Sequence, residues 1–239
     1  MKESLRKTIL LTACMLMIII KGFSQRQVYP FVELFQLDSL SRTAGIAKHF
    51  GMLYYEFLLL VEEKLVDADS STQRFIRNFE RVFARFYIEA CQAAVAGKEI
   101  PLPAWRAYFK DSSLLPVQYY LLGANAHLNG GLAEAIAHSY GAEEWPVIKK
   151  KYYLFNSCLN ETYRFVHAEA VRTSSRAKLL HLLTLSLDRL AGNFYLYKWR
   201  KRQMRLTEYY YTDQVKYRRL LEKVNRKKEK IDRLVMTQF

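Results

Sequence analysis

The sequence predicts an all-α protein: a single-domain, mostly antiparallel helical bundle ending in a long basic C-terminal helix. Three observations carry that expectation. Apolar side chains recur at three- and four-residue steps through most of the chain, which marks one face of a helix. No stretch alternates apolar and polar residues between turn signals, as a half-buried strand would. Only 9 Gly and 5 Pro interrupt the 239 residues while 51% are hydrophobic, a composition that builds a core and long helices. One domain of that size buries roughly 70% of its unfolded surface, so neither disulfides nor metals are needed for stability.

Residues 1–25 read as a secretory signal peptide. Lys2, Arg6 and Lys7 make a positive start, residues 8–20 are an apolar run, and Gly22 and Ser24 are the small residues needed for cleavage near Ser24. The run is shorter than the roughly 18 apolar residues of a membrane span. Leu11-Thr12-Ala13-Cys14 has the order of a lipobox, so lipidation at Cys14 and an uncleaved anchor are the rival readings. The expectation is an exported protein of the periplasm or cell envelope. Beyond residue 25 only Cys91 and Cys158 remain, among apolar helical residues, where buried thiols are favoured over a bridge.

The remainder divides into a helical domain over 26–206 and a basic amphipathic helix over 207–239. A first helix is expected over 38–66, capped by Asp38 or Ser39 and carrying Leu40, Ala47, Phe50, Tyr54, Leu58, Val61 and Leu65 on one side. After a polar break at 67–71, a second helix over 72–96 sets Phe75, Phe79, Phe83 and Phe86 against Arg74, Arg77, Arg81 and Arg85, and Gly97 ends it. Pro103 opens a short helix through Trp105 to Phe109. Further helices are expected over 114–129, over 132–140 after an interruption at Gly130-Gly131, and from Pro146 to residue 171. The last helix starts near residue 176, carries Leu179, Leu183, Leu187, Leu190, Phe194 and Tyr197 as an apolar stripe, and is long, since neither Gly nor Pro follows Gly192.

Charge is concentrated at the C-terminal end. Residues 26–197 hold 19 basic and 17 acidic side chains, whereas residues 198–239 hold 14 and 5, a net of +9. Tyr217, Leu220, Leu221, Val224, Ile231, Leu234 and Val235 form an apolar stripe there, and the register falters at Lys227-Lys228. Arg218, Arg219, Lys223, Arg226, Lys227, Lys228 and Lys230 are the candidate interaction residues. They form either a solvated face on a packed helix or an attachment to an anionic membrane surface or an acidic envelope partner. Export argues against nucleic acid, and the heptads are too few and too broken for a coiled coil.

One segment breaks the pattern around it: Leu121-Leu122-Gly123-Ala124-Asn125-Ala126-His127-Leu128-Asn129-Gly130-Gly131-Leu132. Asn125 and Asn129, four apart, share a helical face, and His127 lies roughly 200° round from Asn125, on a face with Gly123 and Gly131. Glycines one turn either side of the histidine allow another helix backbone to approach closely, and buried amides or imidazoles must find hydrogen-bond partners. Such a cluster can tie helices together, hold a metal through His127 with Glu134 as the nearest carboxylate, or use His127 as a general base. His49, His138 and His181 stand alone, and Glu161 and His167 do not share a face.

The segment resembles a bacterial family of uncharacterised helical domains whose hallmark is Leu-Gly-(Met or Ala)-Asn-Ala-His-(Ile or Leu)-Asn. The resemblance runs from about Phe50 to Leu206 and takes in the aromatic residues from Gly51 to Tyr55, Trp105, Asn160 and Trp199-Arg200. By that similarity Gly123, Asn125, His127 and Asn129 are the matching positions. The family pattern places acidic residues where this chain has Phe50 and Gly131. The resemblance implies the helical fold and the choice of motif, and no activity.

No phosphate-binding Gly loop, His-Glu-x-x-His, Gly-x-Ser-x-Gly or Cys-x-x-Cys occurs, so no cofactor class is indicated. The expected function is a non-catalytic binding or structural module of the envelope. The alternative is a hydrolase of an envelope component, with His127 as base or metal ligand and Asn125 and Asn129 orienting substrate.

Overall fold

A computed structural model describes residues 30–42, 45–151, 153, 156–173, 175, 178 and 187–238. The signal segment, Cys14 and the expected stripe at Leu179 and Leu183 lie outside the described residues. The helices are α1 (Val32–Arg42), α2 (Ala47–Leu65), α3 (Ser70–Val95), α4 (Pro116–Asn125), a π-helical turn (Ala126–Gly131), α5 (Leu132–Ser139), α6 (Trp145–Lys151), α7 (Asn156–Thr173), α8 (Leu187–Thr212) and α9 (Gln214–Gln238). There is no strand among the described residues. None of the described helices is long and apolar enough to cross a membrane.

Several boundaries follow local chemistry that periodicity does not report. The helix expected over 38–66 is two helices, α1 and α2, with Gly45 between them at φ 92°, a conformation that favours a residue without Cβ. Asp38 is therefore no cap; it lies inside α1 and pairs with Arg42 one turn on, at 2.8 Å. Asp69 caps α3 by accepting from the Thr72 amide at 2.9 Å, and Gly97 follows the helix at φ 63°. The helix expected from Pro146 to residue 171 is likewise two, α6 and α7, and Pro103–Trp105 forms a single 3-10 turn. The long C-terminal helix breaks at Asp213, whose carboxylate accepts from the Val215 and Lys216 amides at 3.1 and 3.0 Å and so starts α9.

Packing is largely antiparallel. Glu62 on α2 pairs with Arg77 on α3, while Tyr87 at the far end of α3 donates to the Ala47 carbonyl, so the two helices run in opposite directions. On α4 and α9, Gln118 meets Val235 and Asn125 meets Lys228, which again reverses direction. α5 and α8 are parallel, as Ala133 meets Gln203 and Tyr140 meets Tyr211. Two of the arginines set opposite the Phe residues of α3 reach neighbouring helices: Arg77 takes Glu62, and Arg85 reaches the buried Glu33 of α1 at 2.6 Å.

The centre of the bundle is aromatic. Phe50, Tyr54, Phe83, Tyr87, Trp105 and Tyr108 are buried, and the Phe50 ring lies 5.1 Å from Tyr87 and 5.2 Å from Trp105. Large aromatic side chains bury much area per residue and prefer such tilted contacts. Tyr108 anchors the start of α2, donating to the Ile46 carbonyl at 2.7 Å and accepting from the Phe50 amide at 3.0 Å. A Cβ at Gly123 would collide with the Phe50 ring, so here the missing side chain admits a ring where a helix backbone was expected.

Gly123→Ala is therefore expected to destabilise the fold by about 1–3 kcal/mol through overpacking. Urea unfolding followed by circular dichroism measures it, and a midpoint within error of the parent would show that Phe50 is not held there.

Candidate functional site

The polar motif sits where α4 passes into α5, and the helix widens there into the π-turn Ala126–Gly131. In a regular α-helix the Ala133 amide would donate to the Asn129 carbonyl. Here the two are parted, and the carboxamide of Gln203 from α8 fills the gap. Its Nε2 donates to the Asn129 carbonyl at 2.9 Å, and its Oε1 accepts from the Ala133 amide at 3.3 Å. Insertion of a side chain into the backbone ladder is one of the identifiable causes of a helix irregularity, and π-turns recur at functional sites. Gly130 lets the turn lie against Ala104, whose side chain a Cβ would strike.

Asn125 and Asn129 meet, as their spacing predicts: the Asn129 Nδ2 donates to the Asn125 Oδ1 at 2.8 Å. Asn125 is fully buried and donates in turn to the Lys228 carbonyl at 3.0 Å and to Asp232 at 2.7 Å. Lys228 closes the network with a 2.6 Å ion pair to Asp232, both side chains being more than nine-tenths buried. This corrects the reading of Lys228 as part of an interaction face. It occupies the inward position where the apolar register falters, and Asp232 neutralises it there. Arg218, Arg219, Lys223, Arg226, Lys227 and Lys230 are exposed. A buried pair survives only with good geometry and further hydrogen bonds, which Asn125 supplies.

Above this network lies a cleft of about 600 Å³. Asn129, Gln203, Lys228 and Asp232 line it, together with Glu134, His138, Tyr210 and Tyr217. Asn129 is 4% exposed, and its Oδ1 accepts no hydrogen bond among the described residues. The signal for Gln203 in the sequence was only a single amide inside a helix, so its role escaped the pattern.

His127 faces elsewhere. Its ring stacks on Phe83, with centroids 3.3 Å apart, and lies 4.3 Å from the Tyr54 ring. Neither ring nitrogen has a hydrogen-bond partner among the described residues, contrary to the expectation that burial would force one. The aromatic cage supplies contacts without acceptors, and desolvation holds the imidazole pKa well below 6.5, in the neutral form. A separate cavity of about 70 Å³ beside it is lined by Tyr54, Glu80, Thr162 and Arg200. Glu80 accepts from the Tyr54 hydroxyl at 2.9 Å, and burial pushes its carboxyl up to about 7 against the pull of that bond and of the Arg200 charge.

His127 thus does not converge with Asn125 and Asn129 on one point, and Glu134 lies in the cleft, not in this cavity. No group of three His, Cys, Asp or Glu is placed to hold a metal ion among the described residues, so His127 has no ligand set around it. Cys91 and Cys158 are buried thiols and not a disulfide, and burial pushes Cys91 up to about 12.

These features define an all-helical protein built around a polar π-turn with a cleft on one side and an aromatic cage on the other. A family model described as Family of unknown function (DUF5995) matches residues 35–238, and the chain belongs to that family. Neither a curated protein nor a solved structure matches.

Three measurements test the site. Gln203→Leu strips partners from one buried amide and one buried carbonyl and should cost about 2–4 kcal/mol in chemical unfolding, unless the turn closes to a regular helix. His127→Phe removes an unpartnered polar group and should raise stability by about 1 kcal/mol; a loss would show that the imidazole has a partner in solution. Glu80 binds a proton in the folded form that the unfolded chain releases above 4.5, so the stability of the parent relative to Glu80→Gln should fall by up to about 3 kcal/mol as pH rises from 4.5 through 7. His127 acts in the opposite sense: its stabilising contribution is complete above 6.5 and is lost as pH falls below it.

Proposed function

We propose that this chain is an exported protein of the cell envelope, directed there by a signal peptide cleaved near Ser24, that binds a small polar solute in the cleft over the π-turn. The observation that carries the reading is Asn129, which lines a recess of about 600 Å³ and whose buried Oδ1 accepts no hydrogen bond among the described residues. That volume falls within the range of pockets that enclose small molecules, and an acceptor left unsatisfied costs about 1–3 kcal/mol until a donor meets it. The network of Gln203, Asn125, Lys228 and Asp232 holds Asn129 in place before any ligand arrives, which lowers the ordering cost of binding. Binding is favoured over hydrolysis because His127 faces a different cavity from Asn129, and Asn125 lines neither.

The test is a thermal-shift screen of neutral sugars, amino sugars, amines and amino acids against the parent and Asn129→Leu. A ligand should raise the melting midpoint of the parent and lose most of that effect in the variant. Equal shifts in both proteins, or none in either, would remove the support for this site.

A second reading concerns the exposed basic residues of α9, from Arg218 to Lys230 with Lys228 excluded. They suit docking to an anionic membrane surface or an acidic envelope partner, since each basic residue near such a surface adds about 1 kcal/mol that salt screens. Sedimentation with phosphatidylglycerol vesicles should show salt-sensitive binding that Arg218→Gln, Arg219→Gln and Lys223→Gln together weaken. Binding that ignores both salt and these changes would count against the surface.

A further inference from the structure

The overall charge of the chain is +14, yet the cleft over the π-turn is locally acidic. Two cations line it, and each already has a carboxylate: Lys228 is paired with Asp232, and Arg106 with Glu99. Two further carboxylates, Glu134 and Glu229, line the same recess and have no ion-pair partner among the described residues. Beside them Tyr210 and Tyr217 stand edge to face with centroids 5.4 Å apart, offering the electron-rich ring surface that attracts ammonium groups. Asn129 lines the same recess, and its buried Oδ1 accepts no hydrogen bond among the described residues, an observation independent of the carboxylates. All these unmet groups ask for positive charge or for N–H and O–H donors.

We propose that the solute taken into this cleft is an organic ammonium compound, a primary amine whose charged head lies between Glu134, Glu229 and the two tyrosine rings, with a further donor group reaching Asn129. The inference rests on the reading of the cleft as the binding site and adds the charge of what enters it. An anionic solute would meet two unpaired carboxylates, and a neutral one would leave them without a counter-charge. Burial holds the Glu134 carboxyl above its usual range, against the pull of His138, which lines the same cleft one turn further along α5. An ammonium head would lower it again, so binding takes up charge complementarity and weakens as the pH falls through the Glu134 titration.

The experiment is calorimetric titration of the full chain with three probes of equal length: 1,4-diaminobutane, 1,4-butanediol and succinate. The diamine should bind, the diol and the diacid should not, and Glu134→Gln should weaken the diamine about tenfold. Lys150→Gln, remote from the cleft lining, should leave it unchanged. Binding of the diol or of succinate as tight as that of the diamine would overturn the ammonium assignment while leaving the cleft standing, provided Asn129→Leu abolishes it. Diamine binding that ignores Glu134→Gln would also overturn it. If no probe binds and the broader solute screen responds equally in the parent and Asn129→Leu, the cleft itself is refuted as the site.

Discussion

The carboxamide of Gln203 inserted between the Asn129 carbonyl and the Ala133 amide is the constraint on which the rest of the site depends. A helix that continued regularly from α4 into α5 would close that backbone pair on itself. By supplying both a donor and an acceptor, one glutamine keeps the ladder open at little cost in unsatisfied groups. The wider turn then presents its side chains in two directions: His127 enters the aromatic cage, while Asn129 lines the cleft. It also ties α8, which carries part of the cleft wall, to the motif.

The second tie is the polar seam between α4 and α9. Asn125 joins the backbone of Lys228 to the carboxylate of Asp232, and Gln118 takes the Val235 carbonyl further along. The helix that carries the basic face is thereby anchored by its opposite face. A C-terminal segment that from charge alone resembles a free arm is a structural wall of the cleft, and its outward cations remain available to solvent.

The two sides of the π-turn differ in the kind of environment they offer. The cleft is wide, with Lys228 paired to Asp232 and, among the described residues, no ion pair at Glu134 or Glu229. The cavity at His127 is small and apolar-walled, and it holds an imidazole that burial keeps neutral and a carboxyl that burial pushes up to about 7. Their opposite responses to pH set a window in which the core of the bundle is most stable.

Much was determined by the sequence itself. The three- and four-residue apolar steps predicted helices throughout, Gly97 and the polar break at 67–71 marked helix ends, and the Asn125–Asn129 spacing placed two amides in contact because neighbours on a helix face must meet. Periodicity did not reveal that Gly45 and Asp213 divide helices, because a turn residue inside an apolar rhythm changes direction without changing the rhythm. Nor could it single out Gln203, Glu80 or Asp232, since one polar residue on a helix looks the same whether it faces water or a distant backbone. Which partner each of them meets, and that His127 meets none among the described residues, was decided by tertiary packing, because hydrogen bonds between residues 26 to 107 positions apart exist only once the helices have been brought together.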